Sequence, residues 1–129
     1  DATLNPGGVR IGTSEIYRRV DLFDEISESL AVGQSWMSDV RIILFVVVAD
    51  GFLFDDSLAN RLRQSIRDGA SPRHVPAIIL NVPDLPRTRS GKLVELAVKN
   101  VIEGLPISNV ESLANPEALD YFKNFPELD

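Results

Sequence analysis

Residues 86–92, Pro-Arg-Thr-Arg-Ser-Gly-Lys, combine three basic side chains with a glycine, and such a segment could bind an anion. Gly91 lets the backbone approach a ligand closely because it carries no Cβ. We expect Ser90 to cap a helix that begins at Gly91, which puts Lys92 in the first helical turn. The positive end of the helix dipole does not stabilise a cation such as Lys92. An anion bound by both the helix N-terminus and the Lys92 ammonium group would stabilise it. On the residues alone, an exposed basic loop with an ordinary capping serine is slightly favoured.

A second candidate site is the segment Asn-Pro-Gly-Gly-Val-Arg at residues 5–10. Gly7 and Gly8 can clear space for a ligand chain, and the forked guanidinium of Arg10 can bind phosphate. A tight turn with a surface arginine explains the same residues and is favoured when the segment is taken alone. Arg67 is a third candidate, although an arginine near the C-terminus of a helix usually complements the helix dipole.

The distribution of charge also points to a local anion. Residues 61–92 hold seven basic and two acidic side chains, whereas the rest of the chain holds six basic and seventeen acidic ones. A basic segment inside an acidic chain suggests a local anionic ligand. A solvated helix face followed by a basic loop explains these charges equally well.

The composition limits the class of protein. The chain has 129 residues, of which 44% are hydrophobic, and this fits one ordinary domain. A net charge of −6 argues against nucleic-acid binding, and the longest apolar run, residues 42–49, is too short to span a membrane. With no cysteine and one histidine we expect no metal site, and we predict a cytoplasmic location. Because the first residue is Asp1 rather than Met, we expect the chain to be part of a longer protein.

The pattern of apolar residues predicts the elements that must position these candidates, in the order β-α-β-β-α-β-α. The almost wholly apolar, β-branched segment 40–49 predicts a central strand covered on both faces. We expect Thr13 to cap the first helix, and Asp55 to Ser57 to cap the second. Together these elements predict an α+β fold, a small open three-stranded sheet with helices packed on it. The predicted strands are 9–11, 29–37, 40–49 and 75–82. The predicted helices are about 14–22, one that starts at the caps 55–57 and runs to about 68, and 91–103, with a short helix near 116–122.

Two of these segments carry a resemblance to a known superfamily. Residues 1–16 resemble the motif that opens the C-terminal domain of adenylate-forming acyl-CoA synthetases, and residues 85–92 resemble the late motif that contains the catalytic lysine of those enzymes. Both motifs stand in the order and at the separation of that domain. The resemblance implies a swinging C-terminal domain at residues 1–104, starting at the hinge, and a C-terminal extension of it at residues 105–129.

Within the superfamily, three segments resemble the acetoacetyl-CoA synthetase branch. They are Asn-Pro-Gly-Gly-Val-Arg at 5–10, Ser-Pro-Arg-His-Val-Pro-Ala at 71–77, and Leu-Ala-Asn-Pro-Glu-Ala-Leu at 113–119. The relatives that use acetate commonly have Ser-Gly-His-Arg where this chain has Gly7, Gly8, Val9 and Arg10. That difference leaves Gly8 and Arg10 matched.

The resemblance implies a function and a role for each candidate. It implies an acid-CoA ligase that activates acetoacetate, or a similar short-chain carboxylate, as acyl-AMP and transfers the acyl group to CoA. Lys92 corresponds to the catalytic lysine, Gly7 and Gly8 to the turn beside pantetheine, Arg10 to a nucleotide-phosphate ligand, Arg67 to a ligand of the CoA 3′-phosphate, and Asp1 to the hinge.

The same resemblance implies ligands and a partner. The ligands are ATP with Mg²⁺, CoA and the acid, and the partner is a large N-terminal domain of the same polypeptide, so the fragment alone is expected to be inactive. Two alternatives stay open, namely a domain of an acetyl- or propionyl-type synthetase and a non-catalytic α+β interaction module with a degenerate motif.

Overall fold

A three-stranded sheet with helices on both faces forms the centre of the fold. The computed structural model describes residues 3–91, 93–107 and 110–129. The sheet has the order β3-β4-β5, with β3 at Ile26–Trp36, β4 at Asp39–Val48 and β5 at Ile78–Asn81. Strand β4 pairs antiparallel with β3 and parallel with β5. The predicted α+β fold with an open three-stranded sheet is therefore confirmed.

The central strand β4 is buried on both faces, as its composition predicts. Ile42, Leu44 and Val46 point into one apolar cluster, and Ile43 and Phe45 into another. Successive side chains of a strand point to opposite faces, so a continuous apolar run needs a packed layer on each side. The three-stranded sheet is consequently the middle layer of the fold.

Helices α1 and α2 cover one face of the sheet. Helix α1 spans Thr13–Val20 and helix α2 spans Asp56–Gly69. Asp55 caps α2, since its Oδ1 accepts a hydrogen bond from the Leu58 N–H at 2.8 Å. The expected cap of α1 is wrong, because Gly12 occupies the N-cap position of that helix and Thr13 is its first residue.

Helix α3 and the C-terminal segment cover the other face. Helix α3 spans Glu95–Ile102, and residues 110–129 follow it with three short 3-10 helices. Phe122 packs edge-on against Phe45, with ring centroids 4.7 Å apart. Phe122 and Leu128 belong to the same buried cluster as Phe45 and Val98. Residues of the segment predicted as an extension are thus part of the hydrophobic core.

A two-stranded ribbon near the N-terminus was not predicted. Strand β1 at Thr3–Leu4 pairs antiparallel with strand β2 at Ile11–Gly12. The predicted strand at 9–11 therefore lies at 11–12, because the glycine turn occupies more of the chain than expected. The other strands lie within about three residues of their predicted positions.

The predicted start of the last helix is wrong. Helix α3 begins at Glu95, and Ser90 does not cap it. Arg87 forms an isolated antiparallel bridge with Leu93, and Gly91 has φ of +90°, so the chain turns where a helix was expected. Leu96, in the first turn of α3, is 67% exposed.

Candidate functional site

The described part of the motif at residues 86–92 forms a tight turn that projects from the sheet. The Gly91 N–H donates a hydrogen bond to the Thr88 carbonyl at 2.9 Å, and Arg89, Ser90 and Gly91 are all exposed. A Cβ atom built on Gly91 would meet no heavy atom within 4 Å, so the left-handed φ of this residue, rather than crowding, explains the glycine. Lys92, the expected catalytic residue, lies outside the described residues.

The base of this turn is held by Arg87. Its guanidinium forms an ion pair with Glu28 on β3 and another with Asp84, the latter at 3.2 Å. The side chain of Arg87 is only 25% exposed. With two carboxylates already bound, Arg87 anchors the loop to the sheet, and it contributes little positive charge for a ligand.

The motif at residues 5–10 forms another turn, the glycine turn, which contains a 3-10 helix at Pro6–Gly8. Gly7 and Gly8 have φ of +60° and +78°, a region that favours glycine. The Gly7 N–H donates a hydrogen bond to Oδ1 of Asp39 at 3.0 Å. A Cβ on Gly8 would meet nothing within 4 Å, so space next to this turn is open to a ligand. Asp1, the expected hinge, lies outside the described residues.

A groove of about 300 Å³ runs beside the glycine turn. Its lining includes Gly7, Asp39, Arg41 and Arg73. A Cβ built on Gly7 would lie 3.6 Å from Nη1 of Arg73. The Arg41 guanidinium stacks on the Trp36 ring at 3.6 Å from its centroid, and partial burial lowers the pKa of Arg41. Two cations thus border an open groove at this turn, as an anionic ligand would require.

The structure places Arg10 and Arg67 on the surface. Both are exposed, and Arg67 lies in the last turn of α2 as predicted. Within the described part of the chain, Arg10, Arg67 and Arg73 form no ion pair. Arg61, in contrast, pairs with Glu25 at 2.9 Å. The basic segment at 61–92 is therefore partly neutralised, and its unpaired arginines remain available to an anion.

The two motifs lie at opposite ends of the hairpin formed by β3 and β4. The loop at residues 84–91, called the motif loop below, is tied to Glu28 near the start of β3. The glycine turn is tied to Asp39, which pairs with Trp36 at the end of β3. Glu28 and Trp36 are separated along β3 by roughly 27 Å at about 3.4 Å per residue. A single small ligand group cannot touch both anchors, so the domain presents two separate surfaces.

A half-buried tyrosine links α1, β3 and α3. The Tyr17 hydroxyl donates to Oε2 of Glu95 at 2.6 Å and accepts from the Ala31 N–H at 2.9 Å. Burial raises the pKa of Tyr17 well above its usual range, and the nearby Glu95 carboxylate raises it further. Because β3 is the edge strand of the sheet, this hydroxyl satisfies a backbone N–H that has no partner strand.

Sequence reasoning missed the side chains that support the two turns. Asp39, Glu28 and Asn115 lie far in sequence from the motif they contact, and Arg73 lines the groove beside the glycine turn. The only sequence signals were the basic excess around Arg73 and the likeness of residues 113–119 to one branch of the superfamily. Neither signal identifies a contact.

Neither a metal cluster nor a membrane span was found in the part of the chain that the structure describes. Across residues 3–91, 93–107 and 110–129, no three His, Asp or Glu side chains are grouped as metal ligands would be. None of the helices described there is long and apolar enough to cross a bilayer.

Comparison with known proteins identifies a family and several similar synthetases. The family described as AMP-binding enzyme C-terminal domain matches residues 23–92, more than half of the chain. The acetoacetyl-coenzyme A synthetase of Rhizobium meliloti (strain 1021) is 58% identical over 128 residues, which are 99% of this chain and 20% of that protein. The acetoacetyl-CoA synthetase of Xenopus tropicalis is 50% identical over 129 residues, 99% of this chain and 19% of that protein.

Solved structures show the same fold. The acetoacetyl-CoA synthetase from Streptomyces lividans superposes with a TM-score of 0.84 at 38% identity, covering 95% of this chain and 19% of that one. The acyl-CoA synthetase of Brucella canis gives a TM-score of 0.67 at 28% identity, covering 72% of this chain and 17% of that one. This chain spans about a fifth of the length of the curated relatives it matches. The match over residues 23–92, together with the likeness along nearly the whole chain, shows that it belongs to the AMP-binding enzyme C-terminal domain family.

Proposed function

We propose that this chain is the C-terminal domain of an acid-CoA ligase that activates acetoacetate with ATP and transfers the acyl group to CoA. The observation that carries this proposal is the likeness of 99% of the chain, both motifs included, to a protein named acetoacetyl-coenzyme A synthetase. Two separate surfaces on one small domain are what a two-step reaction would use, one surface for each step.

In the first step, a carboxylate oxygen of the acid attacks the α-phosphorus of ATP. An O–P bond forms, the bond between the α-phosphorus and the bridging oxygen breaks, and pyrophosphate leaves. Lys92 is the residue we propose for this step, because the attacking carboxylate and the α-phosphoryl group repel each other until a cation lies between them. The role is electrostatic stabilisation and positioning rather than proton transfer. The exposed turn at Thr88–Gly91 supports it, since such a turn can reach into a facing domain.

In the second step, the sulfur of CoA attacks the carbonyl carbon of the acyl-adenylate. A C–S bond forms, the C–O bond to the phosphate breaks, AMP leaves with that oxygen, and the thiol proton passes to solvent. Gly7 and Gly8 would border the pantetheine arm, as the open space at Gly8 allows. Arg67 would bind the CoA 3′-phosphate, and Arg10 a nucleotide phosphate, since neither forms an ion pair within the described part of the chain.

The remaining parts of the enzyme would come from outside this chain. A larger N-terminal domain of the same polypeptide would supply most of the ATP site and the acyl pocket, in keeping with the greater length of the relatives. Mg²⁺ would arrive with ATP as part of the substrate. The cytoplasmic location expected from the lack of cysteine remains a prediction, which cell fractionation can check.

The test is an assay of the full-length protein with ATP, CoA and one acid at a time. We expect acetoacetate to give a higher kcat/KM than acetate, propionate or butyrate, with AMP formed in equal amount to acyl-CoA. A higher kcat/KM with acetate or propionate would instead assign the domain to an acetyl- or propionyl-type synthetase. The absence of acyl-CoA and of pyrophosphate exchange with every acid would favour a non-catalytic module.

A further inference from the structure

Asn115, in the C-terminal segment, contacts the motif loop at three points. Its Oδ1 accepts a hydrogen bond from the Arg87 N–H at 2.9 Å. Its Nδ2 donates to Oδ2 of Asp84 at 2.9 Å and to the Leu85 carbonyl at 2.8 Å. One planar amide thus uses its acceptor and both of its donor hydrogens on a four-residue stretch of the loop.

The main chain beside Asn115 strengthens this attachment. The Ala114 N–H donates to the Arg87 carbonyl at 2.9 Å, and Thr88 forms an antiparallel bridge with Leu113. Arg87 also bridges to Leu93, so the loop is held by a partner on each side. Leu113 is 4% exposed, which fixes this part of the C-terminal segment against the core. Only the turn beyond Thr88 is left to project.

We propose that Asn115 is a positioning residue that sets the motif loop in the geometry required for adenylate formation. The inference rests on the proposed function, because it assigns the C-terminal segment a part in the first step of that reaction. A loop that carries a catalytic cation must hold it within a fraction of an ångström of its productive place. A misplacement of about 1 Å, even when it arises far from the reacting atoms, can lower a rate by about 10²-fold.

The contacts require asparagine in particular. Aspartate could still accept from the Arg87 N–H, but it would place a carboxylate next to Asp84 and would lose both donated bonds. Alanine would remove all three bonds while leaving the main-chain contacts of Ala114 and Leu113 in place. The two substitutions therefore release the loop to different degrees without removing the C-terminal segment.

Gln34 offers a matched control. It is a buried amide on β3 that binds the same C-terminal segment at its far end, where Nε2 donates to the Leu128 carbonyl at 2.7 Å. In the described contacts Gln34 does not touch the motif loop, but its Oε1 accepts a hydrogen bond at 2.8 Å from Nε of Arg41, beside the glycine turn. Gln34→Ala should loosen the segment and lower stability without displacing the loop.

The experiment compares Asn115→Ala, Asn115→Asp and Gln34→Ala in the full-length protein. Pyrophosphate exchange reports adenylate formation, and thioester formation from synthetic acyl-adenylate and CoA reports the second step. We expect Asn115→Ala to lower the exchange rate about 10- to 100-fold while thioester formation changes less than about twofold. Asn115→Asp should lose more of the exchange rate, and adding Asp84→Asn should restore part of it by exchanging donor and acceptor. Gln34→Ala should keep the exchange rate within a few-fold of wild type, because its contacts reach Leu128 and Arg41 rather than the motif loop.

Hydrogen exchange of the same proteins, followed by mass spectrometry, gives a readout that does not depend on activity. We expect peptides covering residues 84–91 to lose protection in Asn115→Ala and to keep it in Gln34→Ala. Equal losses in the two half-reactions, or unchanged protection of this loop, would overturn the inference. If the wild-type protein shows no exchange activity, the proposed function fails, and the protection of the loop alone then decides whether Asn115 holds it.

Discussion

The Gly7 N–H donates a hydrogen bond to Oδ1 of Asp39 at 3.0 Å and so ties the glycine turn to the first residue of β4. Asp39 also accepts from its neighbour, the Val40 N–H, at 2.7 Å. The aspartate therefore fixes the glycine turn relative to the sheet from a position 32 residues away in sequence. Gly8, the next residue, faces open space.

Gly8→Trp should impair the second step selectively. The indole would fill the space where pantetheine is proposed to pass, whereas adenylate formation uses the other end of the hairpin. We expect thioester formation from acyl-adenylate to fall by at least about tenfold while pyrophosphate exchange stays within a few-fold of wild type. The φ of +78° makes any side chain at Gly8 cost about 1–2 kcal/mol of folding free energy.

The control for this variant is Gly51→Trp. Gly51 has φ of +88°, and a Cβ built on it would also meet no heavy atom within 4 Å. A side chain at Gly51 therefore causes the same backbone strain away from the proposed CoA site. A selective loss in both variants would mean that strain, rather than blockage of CoA, explains the effect at Gly8.

Arg67→Ala should raise the KM for CoA more than that for dephospho-CoA. The guanidinium is exposed and forms no ion pair within the described part of the chain, so its charge is available to the 3′-phosphate. Loss of one charge-assisted contact of about 1–3 kcal/mol corresponds to about 5- to 150-fold in KM. Arg63→Ala, one turn earlier on the same helix, should affect both thiols equally. Equal effects of Arg67→Ala on the two thiols would leave Arg67 as a helix-end residue only.

Tyr17 makes the stability of the domain depend on pH in the alkaline range. Its folded-state pKa is raised above the usual value of about 10, so its contribution is complete below that pH and is lost as the pH rises further. Tyr17→Phe removes the acceptor for the Ala31 N–H, which should cost about 1–3 kcal/mol at pH 7. Above pH 10 the difference in unfolding free energy between wild type and variant should shrink.

Urea unfolding of the 129-residue chain at pH 7, 9 and 10.5, followed by circular dichroism, measures this difference. Tyr121→Phe is the control, since Tyr121 is 41% exposed and should give a much smaller and less pH-dependent difference. A Tyr17→Phe difference that stays constant across this range would contradict the assigned pKa shift.

The fold was more predictable from sequence than the side-chain contacts that hold the two motif turns in place. The apolar run of β4 and the Asp55 cap of α2 are local patterns, and both predictions are confirmed. The predicted start of α3 was wrong because Ser90 and Gly91 fit a helix cap and a turn equally well. The bridge between Arg87 and Leu93 stabilises the turn. Contacts such as Gly7 with Asp39 join residues far apart in sequence, and no periodicity reveals them.

The two glycine-containing motifs were predicted, and their surroundings were not. Residues 5–10 and 86–92 could be singled out by their resemblance to two motifs of one superfamily, whereas their residue types alone fit an ordinary turn or basic loop. The three hydrogen bonds of Asn115 depend on how the C-terminal segment packs, and the sequence around it predicts only a short helix near 116–122.

The central claim is that the motif at residues 86–92 serves adenylate formation through Lys92. The measurement that tests it most directly is the pair of half-reactions in full-length Lys92→Ala, with Arg89→Ala as the control from the same loop. We predict that pyrophosphate exchange falls by about 10²–10³-fold or more, because a preorganised cation is removed, while thioester formation from synthetic acyl-adenylate stays near the wild-type rate. Arg89→Ala should keep exchange within a few-fold of wild type. Loss of both half-reactions in a folded Lys92→Ala protein, or retention of both, would contradict the account.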